Sequence, residues 1–251
     1  MNNAATYYGA NTWLIQISNV NILIDPWLTG NLEFCKTGWL LKGKLKKQIT
    51  ITNKIDIILL TQSLPDHTHN KTLNMFSKDI FIIASKNAAK KAKKLGFKSL
   101  EILKPGERFN KEGLTIEATA GAKVPMVENG YIIKSSNFSI YIEPHGFLDE
   151  NIKDQSIDLI ITPTIDFGFP LIGNIINGKS ILKQLIKKFK PKLVFESTTG
   201  GDIEYKGIVG KLISSMKLIK KSKSIISFNN NVITPILGRR YILDNIPMRN
   251  Q

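Results

Sequence analysis

The sequence predicts an α+β fold in which two β-sheets pack face to face with helices on their outer sides. Three observations carry this reading. Short apolar runs recur along the chain and are bounded by turn residues, as strands are. Segments with helical spacing interrupt them in the middle and the second half. The order of elements falls into two loosely similar halves, with no linker between them and no repeat at a fixed period. A single domain over residues 1–251 is therefore expected.

Trp13 to Ile17 and Val20 to Ile24 alternate apolar and polar residues across Ser18-Asn19 and read as a hairpin, which Asp25-Pro26-Trp27 ends. Residues 28–52 are rich in Gly and Lys and read as a long loop with a short helix. Ile55 to Leu60 is a buried strand, Thr72 to Phe76 a short helix and Ile80 to Ala84 a strand. Asn87 to Leu95 is a Lys- and Ala-rich helix closed by Gly96. Strands follow at Ser99 to Leu103 and Leu114 to Thr119. Tyr131 to Lys134 and Ser139 to Glu143 form a second hairpin, and Asp158 to Thr162 is a strand ended by Pro163. Residues 166–178, poor in charge, line or cover a pocket. Ile181, Leu182, Leu185, Ile186 and Phe189 share one helical face behind Asn177 as N-cap. Leu193 to Phe195 is a strand, a last helix spans Tyr205 to Lys220, and short strands finish the chain.

Composition bounds the function. Hydrophobic residues are 42% and charged residues 22% of 251, ordinary for a soluble globular chain, and no apolar run approaches the roughly 18–20 residues of a membrane helix. The first residues lack the basic start and apolar core of a signal peptide. Cys35 is the single cysteine, so no internal disulfide forms, which agrees with a cytoplasmic setting. The formal net charge is +15. Its lysines are dispersed over solvated faces without arginine–aromatic interleaving, which argues against nucleic acid but suits an anionic small molecule. Gly200-Gly201 lacks the rest of a phosphate-binding motif, and Cys35 has no neighbouring histidine.

Chemistry concentrates where strands end. The chain has three histidines. His67 and His69 follow Asp66 in the turn after Ile55 to Leu60, and His145 stands beside Glu143 at the end of another strand. Imidazoles and carboxylates at one sheet edge can bind a metal or move protons. Each residue also has a plain structural use. Asp66 can cap the following helix, His67 can tie down its loop, and Glu143 and His145 can pair with each other.

An apolar hairpin ending in Ile24-Asp25-Pro26-Trp27, then a strand and Thr61-Gln62-Ser63-Leu64-Pro65-Asp66-His67, resembles the metallo-β-lactamase superfamily. Within it the likeness is to the branch of L-ascorbate-6-phosphate lactonase-like proteins, and to a plant and cyanobacterial offshoot with Gln-Ser near the turn and Glu-Pro-His later. The resemblance runs through Glu107, Ala120, Glu143, Ile161-Thr162-Pro163 and the loop near Ser197. It implies a four-layer αββα sandwich, an active site at one edge of the sheets, and hydrolysis by a metal-activated water.

The family loop reads Thr-His-x-His-x-Asp-His, and this chain departs from it. Gln62 and Leu64 replace the first two histidines, Ala120-Gly121-Ala122 replaces a later one, Glu143 stands near the bridging aspartate, and Thr198 or Thr199 replaces the last histidine. The ordinary two-metal site therefore cannot form. The resemblance leaves a rearranged set, Asp66, His67, His69, Glu143 and His145, around one divalent ion (zinc, manganese or iron) or none, with Asp66 or Glu143 as base and Asp25 supporting the loop. The function implied is hydrolysis of a small, anionic ester, lactone or phosphodiester. The alternative is a metal-free binding or scaffold protein that keeps the fold.

Overall fold

The computed structural model describes residues 2–34, 41–111, 113–123, 127–169, 173–198, 200–207, 210 and 231–244. In chain order the elements are β1 (Ala4–Gly9), β2 (Thr12–Ile17), β3 (Val20–Ile24), β4 (Asn31–Phe34), β5 (Leu41–Leu45), β6 (Ile57–Leu60), α1 (Asn70–Leu73), β7 (Phe81–Ala84) and α2 (Lys86–Lys94). Then come β8 (Leu100–Ile102), β9 (Arg108–Lys111), β10 (Leu114–Ala120), β11 (Asn129–Lys134), β12 (Ser139–Ile142), β13 (Leu159–Thr162), β14 (Asp166–Phe169) and β15 (Gly173–Asn177). The chain closes with α3 (Gly178–Phe189), β16 (Leu193–Glu196), β17 (Ile203–Lys206), β18 (Val232–Ile233) and β19 (Arg240–Ile242).

Two seven-stranded sheets form the body, in the orders β19-β1-β2-β3-β6-β7-β8 and β18-β16-β13-β12-β11-β10-β9. They share one plan. In the first sheet β19 through β3 pair antiparallel, and β3 through β8 pair parallel. In the second, β9 through β12 are antiparallel and β12 through β18 parallel. The two similar halves seen in the sequence are these two sheets.

Strand periodicity sorts the side chains into layers. Trp13, Ile15 and Ile17 of β2, Ile57 and Leu59 of β6, Ile140 and Ile142 of β12, and Leu159 and Ile161 of β13 meet in the core between the sheets. Their alternates face outward. Ile58 and Leu60 pack against Ala88, Ala89 and Ala92 of α2. Tyr141 and Ile160 pack against Leu182, Leu185 and Phe189 of α3. A strand buried on both faces reads as a continuous apolar run, which is why β6 and β13 were legible. The result is the expected αββα sandwich.

Several local readings change. The N-terminal residues form β1, paired to both β2 and β19. The expected loop over 28–52 contains β4 and β5, which join β17 in a small third sheet. Its apolar content is modest, but Trp27, Leu32 and Ile203 bury a core of their own there, and Gly43 lets the Trp27 ring approach. Tyr205 and Lys206 belong to β17 and not to a helix, because they pair with Gly43 and Lys42 of β5. Most of the helix expected beyond them lies outside the described residues, as do Cys35, Trp39, Leu40 and Thr199. β14 and β15, on either side of residues 170–172, pair antiparallel. Among the described residues no helix is long and apolar enough to cross a membrane.

Candidate functional site

Chain ends of β1, β3, β6, β10 and β12 lie at one edge of the two sheets, and the segments that follow them deliver the polar groups of the site. After β6, Thr61 leads into the turn that carries Asp66 and His67. After β3, Asp25 adopts a left-handed backbone with φ of 42°, which Asp tolerates better than most residues. That conformation turns its carboxylate onto the β6 loop. Thr61 N–H donates to Asp25 Oδ1 at 2.8 Å, and the Thr61 hydroxyl and His67 Nδ1–H donate to Oδ2 at 2.5 Å and 2.7 Å. Asp25 therefore holds the loop as expected, and it also fixes the ring of His67.

The other face of His67 meets two partners. Asn11 Nδ2 and Asp66 Oδ2 each lie 3.3 Å from Nε2. Asn11 can serve the neutral ring as a donor, and Asp66 the charged ring as an acceptor. Asn11 reaches the site because the turn Gly9–Ala10 has positive φ at both residues and is tied to the loop after β16: Ala10 N–H donates to Gly200 O and Thr198 N–H to Ala10 O.

A second unit stands beside the first. His145 Nδ1–H donates to Glu128 Oε2 at 2.5 Å, Gln62 Nε2 donates to the same oxygen at 3.2 Å, and Ala122 N–H donates to Oε1 at 3.0 Å. The rings of His67 and His145 are 5.1 Å apart at 33°. The site is thus two imidazoles side by side, each with Nδ1 clasped by a buried carboxylate. His67 is fully buried, whereas the Asp66 side chain is 20% exposed and marks the mouth. Lys91 of α2 lies at the same mouth, its ammonium donating to Ser63 O at 3.0 Å.

Two predicted members face elsewhere. His69 caps α1: Nδ1 accepts from the Thr72 hydroxyl at 2.9 Å, and Nε2–H donates to Asn31 O at 3.0 Å. Both ring nitrogens are engaged. Burial, assisted by the charges of Lys91 and Lys71, keeps this ring below the ordinary imidazole range and neutral. Glu143 is turned into its own loop, where it accepts from the backbone N–H groups of His145 and Gly146. Burial and then the charge of Glu128 push its carboxyl well above the usual range.

Sequence reasoning missed Glu128, Asn11 and Thr61 as site residues. Only Gly121 offered a signal for Glu128, because a Cβ there would lie 2.5 Å from Glu128 Cγ.

Electrostatics make His67 a charged ring. Burial alone would lower its pKa, but Asp66 and then Asp25 outweigh it and raise it well above the ordinary value. Asp66 is complementary. Burial opposes its charge, yet His67, with His145 adding to it, brings it below the usual carboxylate range. The raised value has a consequence for stability. An unfolded imidazole releases its proton near 6.5, while the folded ring keeps it to a higher pH. The contribution is fully present below about pH 6.5 and is lost as pH rises through the folded value. Urea midpoints are therefore expected to fall as pH is raised above that point, and His67→Gln should remove most of the fall. A slope identical in the variant would show that His67 holds no such proton.

Comparison with known proteins agrees with this fold. A family model described as the beta-lactamase superfamily domain matches residues 4–197. The chain belongs to this superfamily. Among solved structures, the superfamily chain is similar to the isothiocyanate hydrolase from Delia radicum gut bacteria, with a TM-score of 0.66, 16% identity, and coverage of 95% of this chain and 98% of that one. It is also similar to Igni18, a metallo hydrolase from Ignicoccus hospitalis, with a TM-score of 0.60, 15% identity, and coverage of 96% and 98%. At such identity the likeness is one of fold. A stretch of 105 residues is 30% identical to a UDP-N-acetylglucosamine–N-acetylmuramyl-(pentapeptide) pyrophosphoryl-undecaprenol N-acetylglucosamine transferase of Thermosipho melanesiensis. This match spans 40% of the chain and only 31% of the transferase.

The superfamily implies metal, so the donor set must be tested against it. Asp66 Oδ2 and His67 Nε2 are spaced like two donors on one ion. Leu64 offers no donor, Gln62 gives its amide nitrogen to Glu128 and would bring only an amide oxygen, a poor zinc ligand, and both nitrogens of His69 are committed to α1 and Asn31. Among the described residues no three His, Cys, Asp or Glu side chains converge as a ligand set. The residues present do not rebuild the family's metal centre.

Proposed function

We propose that this protein is a hydrolase-like member of the superfamily, near the L-ascorbate-6-phosphate lactonase-like branch, whose acid–base chemistry rests on its own two clasped imidazoles. The observation that carries the reading is the side-by-side placement of Asp25–His67 and Glu128–His145. A carboxylate on Nδ1 fixes tautomer and ring orientation and leaves Nε2 to exchange a proton. His145, its Nδ1–H given to Glu128, takes a proton at Nε2 from the attacking water as the water oxygen bonds to the acyl carbon or phosphorus. His67, held charged between Asp25 and Asp66, gives a proton to the leaving oxygen as that bond breaks. Asp66, the exposed member, then hands a proton from solvent to His67 while His145 releases the one it took, which restores both rings. Glu143 shapes the His145 turn.

The substrate class is a small, anionic ester, lactone or phosphodiester. Lys91 at the mouth and the formal charge of +15 support an anion. The description of one similar structure as an isothiocyanate hydrolase supports hydrolysis as the reaction class. The test is turnover of chromogenic esters, lactones and phosphodiesters in the presence of a chelator. His67→Gln and His145→Gln should each lower the rate by about 10²–10⁴-fold, the range for a lost proton-transfer group. If no member of the panel turns over, the reading falls and a binding role for the same site replaces it.

The spacing of Asp66 and His67 favours one second reading, a single zinc, manganese or iron ion held at that pair. Elemental analysis of protein purified without added metal or chelator checks it. About one equivalent that falls in His67→Ala, together with the melting temperature, would support the ion, because binding to the folded state adds stability. Metal content unaffected by the substitution would remove His67 as a ligand.

A further inference from the structure

Glu128, like Asp25, is a carboxylate of the site held by three donors, and neither the family's motif nor the chemistry legible in the sequence includes it. It is 1% exposed and stands one residue before β11, opposite Gly121 and Ala122 at the end of β10. Backbone bonds from Gly121 N–H to Glu128 O and from Glu128 N–H to Ala122 O hold the two segments together. Its side chain lies in a space that only glycine at 121 leaves open, since a Cβ there would be 2.5 Å from Cγ and 3.1 Å from Oε1. Three donors then converge on it: the backbone of Ala122, the amide of Gln62 and the ring of His145. By the family resemblance, Gln62 and the stretch Ala120-Gly121-Ala122 stand where the pattern carries ligands. Here both positions serve to seat a carboxylate.

A buried carboxylate is stable only when its charge is balanced and its oxygens are bonded. On Glu128 the oxygens are bonded by three donors of the protein itself, so its hydrogen-bonding capacity is met without an ion. A cation entering it would have to displace the donors of Gln62 and Ala122. We propose that Glu128 is a positioning residue that closes the Gln62 side of the site to metal and fixes His145 as the Nδ1–H tautomer beside the neighbouring ring. The consequence for turnover rests on the acid–base reading above, but the arrangement itself does not.

Nuclear magnetic resonance of the full chain labelled with ¹⁵N-histidine tests this without any substrate. The wild-type protein should show His145 as the Nδ1–H tautomer with a strongly downfield ring proton, and adding zinc should leave that signal in place. Glu128→Ala should lose the downfield proton and the single tautomer. Glu128→Gln, which keeps the packing against Gly121 and an accepting oxygen, should keep the tautomer while its ring proton moves upfield. It answers the question even if Glu128→Ala fails to fold. A zinc-induced shift of the His145 ring nitrogens in the wild type, or an unchanged His145 signal in Glu128→Gln, would overturn the proposal. Neither readout depends on hydrolysis, so absence of turnover would remove the hydrolase reading and leave this one standing.

Discussion

Asp25→Ala is expected to destabilise the protein by about 3–5 kcal/mol, the range found when one partner of a buried ion pair is removed. The carboxylate is 1% exposed and accepts from Thr61 N–H, the Thr61 hydroxyl and His67 Nδ1–H. Alanine would strand a charged ring in a fully buried position and orphan two donors of the β6 loop. His67 would then give up its proton, so the raised pKa and the stability it confers below about pH 6.5 would both diminish. Asp25→Asn should fall between the two, because the amide oxygen can still accept from Thr61 but its NH2 cannot balance an imidazolium. Urea unfolding of the three proteins at pH 6 gives the comparison. A cost below about 1 kcal/mol for alanine, within the range of an exposed pair, would mean that no buried charge is being balanced.

Trp13→Ala is expected to cost a similar amount, about 3–5 kcal/mol, for a different reason. Trp13 is fully buried between the sheets, 4.6 Å from Tyr7 and 5.4 Å from Phe195 by ring centroids. Its loss opens a cavity that two packed sheets cannot close. The ring is also a strut for the site. Its Nε1–H donates to Ser197 Oγ at 3.0 Å, and the Ser197 loop holds Ala10, which precedes Asn11. Trp13→Phe separates the two effects. It keeps most of the apolar volume and loses the hydrogen bond, with an expected cost of about 1–3 kcal/mol. Guanidinium unfolding reads both variants. Equal costs for Phe and Ala would show that the indole N–H matters more than the packing, contrary to the burial of the ring.

Much of the fold could be read from local pattern because the core strands are buried on both faces. Ile57–Leu60 and Leu159–Thr162 are uninterrupted apolar or Thr-ended runs, and the amphipathic stripe of α3 is spaced for one face. Elements at the periphery were not legible. β4, β5 and β17 contain Lys, Gly, Glu and Asn at half or more of their positions. They are strands because they pair with one another and cover Trp27, which is a tertiary fact. Propensity is weak where half a strand faces solvent, so Tyr205 read as helical and is extended.

The site divides along the same line. By itself, the sequence determined that the superfamily fold would be built, that Asp66, His67 and His145 would stand at strand ends on one sheet edge, and that Leu64 and Gln62 could not restore the usual ligands. These follow from residue identity and from strand order, both of which are local or topological. Only the tertiary structure decided what those residues do. His69 and Glu143 were expected in the cluster, and their side chains are spent on a helix cap and a turn. Glu128, in a segment with no chemical motif, is brought to His145 by the pairing of β10 with β11, and Asn11 to His67 by a left-handed turn. A side chain's partner depends on rotamer and on neighbours distant in sequence. Spacing along the chain can place a group at an edge but cannot say which way it turns.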